Sequence, residues 1–149
     1  MTVRGRLARV NGESGAAMVE FVVLAVVLVV PLCYLVLEVF DVQRAAFGAT
    51  AATREAARVF VRAPSTAEAG ERARVAAGLT LSDHGIDLET GELDISCSAS
   101  PCLTPGATVQ VSYQTRVGLP WLPAGLSIAS IPVSATHTEV VDTYTEVRP

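Results

Sequence analysis

The sequence predicts an α+β fold: a long N-terminal membrane-spanning helix that continues into a small extracytoplasmic domain, with a second helix and a three-stranded antiparallel sheet. Three observations predict it. "FVVLAVVLVVPLCYLVL", residues 21–37, contains no charged side chain. Ala45, Ala49, Ala52, Ala56 and Phe60 recur every three or four residues. Three later stretches, "ELDISC", "ATVQVSYQTRV" and "IPVSATHTEVV", alternate apolar and polar residues instead. A period near 3.6 marks helix and a period of 2 marks strand.

The apolar run of 17 residues, with Val19 and Val39 at its flanks, is at the lower edge of what crosses a bilayer as a helix. A helix on a globular core shows a polar stripe, and this one shows none. Residues 16–40 therefore read as a transmembrane segment. Arg4, Arg6 and Arg9 against Glu13 give the first fifteen residues a net +2, whereas eight Arg against fourteen acids give the rest a net −6. Basic residues before the span keep the N-terminus cytoplasmic and place the C-terminal part outside. The acidic exterior argues against a nucleic-acid partner. Pro31 has no N–H for the carbonyl of Val27, so a bend is expected there. Cys33, inside the run, acts as a small hydrophobe.

Glu20 stands at the mouth of this run, and Glu38 follows it by 18 residues. That spacing is five helical turns, which puts both acids on one face about 27 Å apart and Glu38 at the outer interface. A secretory signal peptide would end in a small-x-small site directly after a shorter apolar core. The nearest such site, Ala49-Thr50-Ala51, lies beyond the polar "VFDVQR", so removal of the whole block is not expected. Residues 1–15 instead form a short basic leader ending in Gly15, and Glu20 is fifth counting from Ala16. This arrangement resembles type IV prepilins. The resemblance implies cleavage between Gly15 and Ala16 by a prepilin peptidase. The freed amine, with an ordinary pKa of about 7.7–8.0, would then be the partner of Glu20 on an adjacent subunit. The plainer reading is a carboxylate that stays hydrated among headgroups.

Residues 41–62 continue the helix outside the membrane, with Arg44, Glu55, Arg58 and Arg62 on its more polar side. A single helix from Val19 to Val61 would be about 65 Å long. Its alanine stripe permits close approach of another helix. Two readings stay open: contact with another subunit, or packing on the chain's own domain. Ala63-Pro64 ends the helix. Ser65 with Glu68 three positions on reads as a capping box, opening a second helix, "TAEAGERARVAAGLTL", that stops near Gly78 or Gly85. Residues 63–149 form the small α+β domain, with Val109, Val111 and Tyr113 on one strand face. "GLPWLPAGL" is a proline-rich connection in which Trp121 is expected to lie over the core. Cys97 and Cys102, in "CSASPC", are spaced to close a small loop, and an oxidising compartment favours a disulfide. A metal site would need further ligands nearby, and the sequence offers none.

His84 and His137 are the two histidines. A two-histidine, one-carboxylate metal site is conceivable from residue types, but their spacing signals nothing, and solvated polar residues are the simpler reading. No G-x-S-x-G, phosphate loop, H-E-x-x-H or dinucleotide-binding glycine pattern occurs. The sequence points to a non-enzymatic chain without cofactor, metal or small-molecule substrate.

Residues 15–62 resemble TadE-like proteins, especially actinobacterial ones. The likeness rests on Val19-Glu20-Phe21, the late Pro31, Gln43 to Phe47 and Ala52 to Arg58, with a weaker match in "VSATHTEVVDTY". It implies a minor pilin or pseudopilin of the tight-adherence (Flp, type IVb) pilus system. Partners would be the membrane, the prepilin peptidase, other Tad pilins and minor pilins, and pilus platform proteins. The expected role is pilus assembly for adhesion and biofilm formation. The expected location is the cytoplasmic membrane, single-pass, with the C-terminal domain outside or incorporated into a surface pilus. The alternative from the residues alone is a signal-anchored envelope scaffold or sensor that is never polymerised.

Overall fold

The computed structural model describes residues 13–118 and 130–144. The basic leader up to residue 12 and Trp121 lie outside the described residues. The chain divides into two compact units, Met1–Leu37 and Glu38–Pro149. The elements in order are α1 (Glu13–Val61), α2 (Thr66–Asp83), a 3₁₀ turn (Leu88–Thr90), β1 (Gly91–Cys97), β2 (Thr108–Gly118) and β3 (Ser130–Val140). This is an α+β arrangement.

The first unit is the apolar part of α1. Its most apolar 18-residue window has a mean hydropathy of 2.8, and none of it is buried. Val, Leu, Met and Phe side chains stand exposed on every side of the helix, from Met18 at 69% to Leu37 at 56%. Each would gain about 1.5–3 kcal/mol on leaving water, so the face as a whole requires lipid or other helices. Pro31 lies inside α1, which continues through it.

The second unit packs the rest of α1 and α2 with the sheet around one buried cluster. Ala45, Ala49, Ala52, Ala56 and Phe60 are all in it, together with Ala69, Ala73, Ala77 and Leu81 of α2. The alanine stripe is thus filled by the chain's own unit, which decides between the two readings it allowed. Thr53 is also buried on α1; its hydroxyl donates to the carbonyl of Ala49 at 3.0 Å and so costs no unmet polar group.

Local chemistry sets the limits of α2. Ser65 caps its start by accepting from the N–H of Glu68 at 3.4 Å. The reciprocal half of the expected capping box is missing, because the Glu68 carboxylate accepts from Arg72 at 2.6 Å instead. At the other end Gly85 takes φ 68°, while Ile86 N–H reaches the carbonyl of Leu81 and Gly85 N–H that of Ser82. That pair of bonds is a Schellman stop, and it needs a residue free to adopt positive φ. Of the two glycines considered, Gly85 ends the helix and Gly78 does not.

The sheet runs in the order β1-β2-β3, both pairs antiparallel. Val109, Val111, Tyr113 and Thr115 alternate into the buried face of β2. Tyr113 donates to the carbonyl of Asp87 at 3.4 Å, and Thr115 to that of Thr90 at 3.1 Å, which ties the 3₁₀ turn to the sheet.

Candidate functional site

The candidate processing and register residues lie on the first unit. Gly15 and Ala16 are exposed and already helical, since α1 starts at Glu13. A Cβ added at Gly15 would touch nothing within 4 Å, so packing does not explain the glycine. Glu20 is exposed one turn further on, at the head of the bare apolar surface. An isolated carboxylate in that position either stays at the hydrated interface or meets a cation supplied by another molecule.

Glu38 belongs to the second unit and behaves differently. Seven residues before Ala45, it lies within about 20° of the same helical face, the face that carries the buried alanines. It is half-buried, and its Oε2 is shielded from solvent with no hydrogen-bond partner among the described residues. The sequence placed Glu38 at the outer interface but gave no sign of this shielding. The face became identifiable only once the stripe was known to be internal.

Cys97 and Cys102 form a disulfide with a Cα–Cα separation of 5.4 Å. It closes the tip of the β1–β2 hairpin, where the peptide bond Ser100–Pro101 is cis. Beside it Ser98 pairs doubly with Thr108, its N–H donating to the Thr108 carbonyl at 2.9 Å and its Oγ accepting from the Thr108 N–H at 2.8 Å. Leu103, directly after the bridge, is fully buried. The hairpin tip is therefore a core-supporting structure. Cys33 is a free, exposed thiol on the apolar part of α1.

The histidines are not brought together as a site. His84 Nδ1 lies 2.9 Å from the carbonyl of Thr80, and its Cβ would be 2.9 Å from a Cβ added at Gly48. The bare Cα of Gly48 is what lets α1 and the end of α2 approach this closely, with the His84 side chain filling the space. His137 Nε2 lies 3.1 Å from Glu139 Oε2 on β3. No cluster of three or more His, Cys, Asp or Glu suited to a metal ion occurs among the described residues.

Compared with protein-family models, curated proteins and solved structures, the chain matches none of them. Among the described residues it carries one helix long and apolar enough to cross a membrane, near the N-terminus. This fits a single-pass membrane protein.

Proposed function

We propose that the chain is a TadE-like minor pilin or pseudopilin, anchored by α1 and contributing to assembly of a tight-adherence pilus used in adhesion and biofilm formation. The observation that carries this reading is Glu20, exposed at the head of a charge-free apolar helix and fifth after Gly15. Cutting between Gly15 and Ala16 would create an ammonium group one turn from a carboxylate. In the low-dielectric edge of a helix bundle, a carboxylate on one subunit and an amine on the next attract strongly and fix the stagger of neighbours. The outer unit, with its own core, would then cap the assembly or present a contact surface. The N-terminus would lie in the cytoplasm and the outer unit beyond the membrane.

Replacing Glu20 with Ala tests the register role. The expected result is normal recovery in the membrane fraction and a marked loss from the sheared filament or tip fraction. Equal recovery of Glu20→Ala in both fractions would contradict the role.

A second reading, a signal-anchored envelope scaffold or sensor that is never polymerised, is favoured by the alanine stripe. That stripe is consumed inside the outer unit, so less of α1 remains for contact with siblings. This reading predicts a chain that keeps residues 1–15 and a pilus that forms without it.

A further inference from the structure

The direction of the backbone groups on β3 follows from its last contact with β2. Val141 N–H donates to the carbonyl of Ala107 at 2.8 Å, and Gly106 N–H to that of Val141 at 3.0 Å. Odd-numbered residues of β3 therefore turn their N–H and C=O groups toward β2, and even-numbered ones turn theirs away. Among the described residues no strand lies beyond β3 in the sheet order β1-β2-β3. Ser134, Thr136, Thr138 and Val140 thus present a row of open donors and acceptors. Pro132, also even-numbered, has no N–H and blunts only the start of this edge.

Sheets guard their edges with short strands, bulges, charges and proline. The other edge, β1, is guarded: it has 7 residues and carries exposed Glu92 and Asp94 on one face. By contrast β3 runs 11 residues in unbroken register with β2, and from Val133 onward it holds no Lys, Arg or Pro. Approach to it is open as well. Val109, Val111 and Tyr113 on β2 are fully buried, whereas their partners Glu139, His137 and Ala135 on β3 are only partly covered. The layer that covers β2 stops short of the outer edge of β3.

We propose that this edge pairs antiparallel with β3 of a second copy of the chain, about a two-fold axis at Thr138. A two-fold contact is self-complementary: where one residue meets another, the second meets the first. Centred on Thr138, the pairing sets that residue against its own copy, and Thr136 against Val140, on the exposed face. Both are β-branched pairs of the kind that stabilise adjoining strands. On the other face His137 meets Glu139 of the second copy, and Glu139 meets its His137, so imidazole faces acid twice. These two side chains already lie 3.1 Å apart within one chain, and the axis joins both pairs into one cluster. An axis two residues earlier would set Glu139 against Val133, and Val140 against Pro132, which cannot donate. In the Thr138 register about six backbone hydrogen bonds join the two strands. That is a small contact, and anchorage in a shared membrane raises the effective concentration at which it forms.

Cysteine cross-linking in membranes tests the pairing on the full chain. Thr138→Cys is made in a Cys33→Ser background and oxidised mildly; Gln110→Cys, exposed on the same face of the central strand, is the control. The expected result is a disulfide-linked dimer with Thr138→Cys, several-fold more abundant than with Gln110→Cys. Adding Thr136→Pro should abolish it, since that N–H points off the sheet and the β2–β3 ladder is spared; an unchanged urea midpoint checks the fold. His137→Glu should weaken the dimer, and Glu139→Arg added to it should restore the dimer, which loss of folding would not do. No cross-link at 138, equal cross-linking at 138 and 110, or a dimer that survives Thr136→Pro would each overturn the pairing. A dimer unmoved by His137→Glu would overturn the register.

Discussion

At Gly91 there is no room for a side chain. A Cβ there would meet the backbone oxygen of Gln114, and would approach the Tyr113 hydroxyl to 2.5 Å and its ring carbon Cζ to 2.6 Å. Tyr113 is fully buried and cannot swing away without opening the core. Gly91→Ala is therefore expected to destabilise the outer unit by about 1–3 kcal/mol, the usual cost of overpacking. The urea midpoint of the detergent-solubilised full chain, followed by circular dichroism, checks it; an unchanged midpoint would contradict the packing. A second residue-scale expectation concerns the bridge between Cys97 and Cys102, which closes a sequence separation of 5. Loop-closure entropy for so short a loop is worth about 2 kcal/mol. Cys97→Ser with Cys102→Ser should lower the midpoint accordingly, and wild type under reducing conditions should fall with it.

The elements were legible in the sequence to different depths. The strands were clear because β2 has one buried face, and the period-2 pattern of Val109, Val111 and Tyr113 follows directly from that. The start of α2 was readable from Ser65 because it depends on local backbone chemistry, whereas its end was narrowed only to Gly78 or Gly85, and the positive φ that selects Gly85 is seen in the structure. The 3₁₀ turn at Leu88–Thr90 was not, since its anchors are tertiary: Tyr113 and Thr115 reach the carbonyls of Asp87 and Thr90. The alanine stripe was visible, but its partner was not. An alanine face fits a sibling helix and a neighbour in the same chain equally well. The choice depends on Ala69, Ala73 and Ala77 facing inward on α2, which sequence spacing alone does not establish. This gives an element-scale prediction. Ala52→Leu or Ala73→Leu should cost about 1–3 kcal/mol and broaden proteolysis of the outer unit, while membrane insertion is unaffected. If Ala52→Leu instead leaves the unit stable and blocks association between copies, the internal assignment of the stripe is wrong.

At the scale of the molecule, the charge pattern and the bare apolar surface act together. Mean hydropathy of 2.8 with no burial places the first unit in lipid or among similar helices. A fully stable outer unit could be carried by any anchor. The proposed pilin role adds a demand that an ordinary anchor does not make, namely a processed N-terminus whose new amine can meet Glu20. The processing residues were read from spacing alone. Physical packing says nothing about them, because a peptidase subsite leaves no trace in the substrate's own core. Intact mass and N-terminal sequencing of the chain isolated from native membranes test this most directly. The account predicts a polypeptide beginning at Ala16; a chain that begins at Met1 or Thr2 and still carries residues up to Gly15 would contradict it.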